Sequence, residues 1–113
     1  MATPVERLQG TVDVLVLKTL AWKPMHGYAI AQFLAERSGG ELTVEGAALY
    51  QGLHRLARKG LIKSKSAISD TGRRVRSYEL TRAGREQLAE ESHGWKRYAS
   101  AVARVLALRT GHG

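Results

Sequence analysis

Two short stretches of the chain hold the side chains best suited to recognition chemistry. Between Gly46 and Lys59, a helical wheel at about 100° per residue gathers Tyr50, Gln51, His54, Arg55 and Arg58 on one arc, with Lys59 at the end, and Leu49, Gly52, Leu53 and Leu56 on the other. Arginine pairs with phosphate, or bidentately with guanine. Glutamine pairs with adenine in the same forked way, and tyrosine or histidine donates to phosphate. A second basic group, Lys65, Arg73, Arg74 and Arg76, follows within a segment of two-residue periodicity. From Gly52 to Ser77 there are eight basic residues against the single acid Asp70, a local balance of +7 within a chain of net charge +8. Nearly all the excess positive charge is therefore concentrated where a polyanion could use it.

The patterns of catalysis are missing. The sequence has no Gly-x-Ser-x-Gly elbow, phosphate loop, His-Glu-x-x-His or carboxylate pair, and its four histidines, at 26, 54, 93 and 112, share no ligand spacing on one helix face. There is no cysteine, which excludes disulfides and thiolate metal sites. No enzyme activity, metal or cofactor is expected. No apolar run approaches the roughly 20 residues that span a bilayer, and residues 1–9 lack the features of a secretory signal, so a cytoplasmic, bacterial protein is expected.

The elements that would hold these side chains follow from periodicity and punctuation. Val12, Leu15, Val16, Thr19 and Leu20 predict an amphipathic helix over Thr11 to Trp22, closed by Pro24. A second helix is expected from His26 to Arg37, burying Tyr28, Ile30, Phe33 and Leu34 and stopped by Gly39 and Gly40. Leu42 to Val44 reads as an extended link, and the third helix runs from Gly46 to Lys59. Alternation from Ile62 to Ile68, a turn at Asp70-Thr71-Gly72, and a strand from Val75 to Leu80 predict a β-hairpin. Thr81 reads as the N-cap of a last helix reaching about Arg109. At 113 residues there is room for one compact unit. The expected architecture is mainly α: a three-helix core with a β-hairpin wing over residues 1–81, then a long dimerisation helix over 82–109.

A final helix of about 28 residues, roughly 42 Å long, exceeds what such a core needs. Leu88, Ser92, Trp95, Ala99, Val102 and Leu106 alternate at four and three, and Tyr98 and Val105 widen the stripe. This seam is the expected homodimer interface, placing two reading helices about one DNA turn apart. Gly94 weakens the helix by about 1 kcal/mol relative to alanine. Trp95 has two readings, an anchor of the interface or the wall of a pocket for a flat aromatic effector.

In combination, several segments carry a family resemblance: Leu15 to Leu20, Pro24-Met25-His26-Gly27-Tyr28, Leu49-Tyr50, Leu53-His54-Arg55-Leu56, Lys59 to Ile62, and Arg74 to Gly84. The chain resembles the PadR-like family of bacterial winged-helix transcriptional regulators, in the short form with one C-terminal helix. The resemblance implies a homodimeric winged helix-turn-helix repressor on a pseudo-palindromic operator in duplex DNA, with Tyr50 and its neighbours at the DNA and, in some similar short proteins, an aromatic effector. Two positions depart from the family pattern. Ala48 stands where a small hydroxyl residue is usual, and Gln51 where proline is frequent. The rival reading is a winged helix serving RNA or protein without operator specificity. For single residues a plainer role stays open: Tyr50 as cover for the core edge, His54 as a surface histidine, Arg76 as a solvated strand residue, and the whole basic face as an aid to solubility.

Overall fold

A computed structural model describes the backbone of residues 4–109 and the side chains of residues 11–109. In chain order the elements are α1 (Pro4–Trp22), β1 (Met25–His26), α2 (Gly27–Arg37), α3 (Gly46–Arg58), β2 (Ile62–Ile68), β3 (Arg74–Leu80) and α4 (Arg82–Leu106). The strands form one antiparallel sheet in the order β1, β3, β2.

The core lies where α1, α2 and α3 meet the base of the sheet. Val16, Leu17 and Leu20 from α1 meet Ile30 and Leu34 from α2, Leu49, Leu53 and Leu56 from α3, and Ile62, Tyr78 and Leu80 from the strands. α1 is buried over a wider arc than one stripe, because α2, α3 and α4 all pack on it. The extra buried positions include Asp13 and Thr19. The Thr19 hydroxyl is satisfied by donating to the Leu15 carbonyl at 2.8 Å, as burial of a polar group requires.

Four details differ from the sequence expectation. α1 starts at Pro4, not Thr11; a helix carried by tertiary packing continues through Gly10, whose propensity penalty is only about 1 kcal/mol. Met25 and His26, two residues with no period to read, form β1 by pairing with Tyr78 and Ser77. Tyr28 is not buried but 68 % exposed, since the inward line of α2 is Gly27, Ile30 and Leu34 and the next residue turns away by about 100°; Phe33 is half-buried. α4 ends at Leu106, with Ala107 as its C-cap, short of Arg109.

The punctuation holds. Gly39 and Gly40 take φ of 65° and 84° after α2, a region where side chains with a Cβ are strained. Thr81 caps α4, its hydroxyl oxygen accepting from the Gly84 N–H at 3.0 Å. The same hydroxyl lies within donating reach of the Gly60 carbonyl (2.7 Å) and the Leu61 carbonyl (2.9 Å). A side chain at Gly84 would run into the Leu61 carbonyl oxygen and Leu80. The start of α4 is thus welded to the turn that joins α3 to β2.

Candidate nucleic-acid interface

α3 separates its two faces cleanly. Leu49, Gly52, Leu53 and Leu56 are buried, and Tyr50, Gln51, His54, Arg58 and Lys59 are exposed. Gly52 permits close approach to α1, since a Cβ there would meet Val12 Cγ1 at 3.2 Å. Arg55 behaves differently from its neighbours on the wheel. It is half-buried, and its Nη2 donates to Asp13 Oδ1 of α1 at 2.8 Å. One arm of this guanidinium is therefore committed inside the protein. Arg55 and Arg58 also sit in the last turn of α3, where positive charge is favoured by the helix dipole.

On β3, alternation places Arg74, Arg76, Tyr78 and Leu80 on one face. Tyr78 and Leu80 enter the core, so Arg74 and Arg76 extend that face beyond the core's edge, on the side of α2 and α3. Arg76 is steadied by donating from Nη1 to Ser64 Oγ across the hairpin at 3.0 Å. Lys65 pairs with Ser77 in the register and so projects from the opposite face. Lys63, on that same face, is held by Glu79 at 3.0 Å; hydrogen bonding from Lys63, then its charge, lowers the Glu79 pKa from the ordinary glutamate value. Arg73 is exposed where the turn enters β3, its N–H bonded to Ser69 Oγ at 3.1 Å.

The two basic segments meet at one recess of about 270 Å³, whose walls include Tyr28, Tyr50, Arg74 and Arg76, with His26 and Tyr78 behind them. Tyr50 lies over the start of α2, where a Cβ on Gly27 would come within 3.2 Å of the tyrosine ring and hydroxyl. His26 caps α2, its Nδ1 accepting from the Ala29 N–H at 3.2 Å. Burial pushes the Tyr78 phenol up, against the opposing effect of Arg76, so it stays a protonated donor. Donors dominate the recess and no carboxylate lines it. Tyr28 is the residue that sequence reasoning missed here. The signal available was Gly27, which fills the inward position that Tyr28 was expected to take.

Along α4, Trp95, Tyr98, Ala99, Val102, Val105 and Leu106 are exposed and Ser92 is half-buried. Trp95 and Tyr98 stand together, ring centroids 5.5 Å apart. Leu88 is the exception in the expected seam, because it packs against the core of its own chain. Among the described residues, no group of three or more His, Asp or Glu is placed to hold a metal ion, and no helix is long and apolar enough to cross a membrane.

Three helices closed by a twisted hairpin, with the polar face of the third helix beside the hairpin's basic edge, define a winged helix-turn-helix protein. The chain belongs to the Transcriptional regulator PadR-like family, whose profile matches residues 16–90. It is similar to a PadR family transcriptional regulator from Eggerthella lenta, at 28 % identity and a TM-score of 0.73, covering 93 % of this chain and 90 % of that one. A PadR family regulator from Clostridium difficile is also 28 % identical, with a TM-score of 0.71 and coverage of 85 % and 98 %. An uncharacterised protein of Lysinibacillus sphaericus is 29 % identical over 89 residues, 78 % of this chain and 81 % of that one. The relatives are transcriptional regulators, and this chain is one by family.

Proposed function

We propose that the protein is a homodimeric repressor that binds a pseudo-palindromic operator in duplex DNA, α3 entering the major groove and the hairpin lying along the backbone. The observation that carries this reading is the convergence of Tyr50, Arg74 and Arg76, from α3 and β3, on one donor-rich recess. The reading face would comprise Tyr50, Gln51, His54 and Arg58, with Lys59, Arg73, Arg74 and Arg76 neutralising phosphates. Arg55 would serve by fixing α3 on α1, with its free arm available to the DNA, and Lys65 by general attraction from the far side of the wing. Residues 1–81 then form the DNA-binding unit and 82–109 the dimerisation helix. The exposed apolar stripe centred on Trp95 supports a second copy as its cover and Trp95 as an anchor.

An anisotropy titration on the chain's own promoter region and on a scrambled duplex, at two salt concentrations, tests this. Saturable binding to a dyad-containing duplex, falling steeply with salt and at least a hundredfold tighter than to the scramble, is expected. Equal affinity for both duplexes would instead favour a winged helix that serves RNA or protein without an operator.

A further inference from the structure

On another part of the surface, between α1 and α2, Trp22 lies beside Phe33 with ring centroids 5.3 Å apart and 32° between their planes. Trp22 is 59 % exposed. The two rings wall a groove of about 430 Å³ that is also lined by Leu34 and Leu42, within the size range of small-molecule sites. Its hydroxyls are already engaged within the fold. Thr19 donates to the Leu15 carbonyl, while Ser38 donates to the Ala35 carbonyl at 3.2 Å and accepts from the Leu42 N–H at 2.8 Å.

That leaves two cations in the lining, Lys18 and Arg37. Among the described residues neither is paired with a carboxylate. The Arg37 guanidinium carbon sits 5.4 Å from the Phe33 centroid and 6.0 Å from that of Trp22, so aromatic faces rather than an acid hold it at the groove. Lys23 places a further positive charge 5.0 Å from the Trp22 ring. An apolar groove edged by unmatched cations suits an amphiphilic anion. The exposed apolar end of a second copy's α4 suits it poorly, since residues 92–109 include Lys96, Arg97, Arg104 and Arg109 and no acid.

We propose that this groove is a binding site for a small, flat apolar anion: an aromatic ring system bearing one carboxylate or sulfonate, its rings against Trp22 and Phe33 and its charge on Lys18 and Arg37. The site lies apart from both the DNA-facing recess and Trp95, and does not depend on the operator reading.

The probe is 1-anilinonaphthalene-8-sulfonate, added to the full chain carrying Trp95→Phe so that Trp22 is the only tryptophan donor. Saturable energy transfer from Trp22 is expected, with affinity reduced at least about tenfold by Lys18→Gln with Arg37→Gln, the loss of charge-assisted contacts. Both positions are exposed, so the fold should survive. On the unsubstituted chain, calorimetry should show 2-naphthoate binding at least about tenfold tighter than the uncharged 2-naphthamide. Equal binding of acid and amide, or an affinity indifferent to the two charge removals, overturns the proposal. Transfer that disappears as the chain dimerises also overturns it, by making the groove a contact between copies.

Discussion

Arg55 reaches back from α3 to Asp13 on α1, Nη2 to Oδ1 at 2.8 Å, and the Asp13 side chain keeps only 11 % of its exposure. The pair ties the reading helix to the helix at the centre of the core. Arg55→Ala strands a largely buried carboxylate and is expected to lower stability by about 1.5–3 kcal/mol, read as a shift in urea midpoint at constant slope. Asp13→Asn, which keeps an acceptor, should lose less. A stability unchanged by Arg55→Ala would mean that the guanidinium is available to the DNA in full.

Tyr28 and Tyr50 share the recess that Arg74 and Arg76 complete, so Tyr28 is expected to steady one DNA phosphate. Tyr28→Phe should weaken binding about three- to tenfold, the value of one neutral hydrogen bond. The loss should be the same on operator and scrambled duplex, because phosphates carry no sequence information. Arg74→Ala should reduce the slope of log affinity against log salt by about 1. Anisotropy at four salt concentrations measures both, and a loss confined to the operator would make Tyr28 a base reader.

Trp95 is 39 % exposed within the stripe that the proposed dimer covers. Trp95→Ala is expected to weaken self-association by about 2 kcal/mol or more, the value of a buried aromatic anchor. Sedimentation equilibrium would show this, and a dimer that survives unchanged would shift the anchor to Val102, Val105 and Leu106.

Hydrogen bonding and charge from Lys63 hold the Glu79 pKa below its ordinary value of 4.5. The stabilisation is therefore present above that value and is lost as pH falls through the lowered folded pKa. Lys63→Met should flatten the acid side of a plot of Tm against pH, bringing the variant and parent curves together below about pH 3, when Glu79 is protonated in both states. Curves that stay parallel down to that pH would show that the pair contributes nothing to folding.

Much of the fold was legible because punctuation and period agree: Gly39 and Gly40 stop α2, alternation marks the hairpin, and Thr81 opens α4. The misses share one physical origin, in that each depends on a partner distant in sequence. The chain from Val12 to Arg58 gives no local hint that Arg55 meets Asp13, and β1 exists only because β3 lies beside it. Leu88 fits the seam by spacing, yet it packs on its own core. Tyr28 was misplaced by one step on the wheel, because glycine at 27 was not counted as an inward residue. The DNA-facing side was legible as a set of types, but the division of Arg74 and Arg76 from Lys65 required the strand register.

Gly84→Ala is expected to lower stability by more than 2 kcal/mol, since the added methyl meets the Leu61 carbonyl, backbone that cannot rotate aside. Thermal unfolding would read this as a large drop in Tm, and a near-neutral substitution would show that α4 can pivot.

That joint makes each protomer a stiff bracket whose angle is set at manufacture. In a dimer, the distance between the two reading helices would then be dictated by the corner at Thr81 and Gly84 as much as by the seam itself. Such a bracket measures the DNA as a fixed-gauge caliper does, so inserting or deleting a base pair between half-sites should be poorly tolerated, however well each half-site is matched.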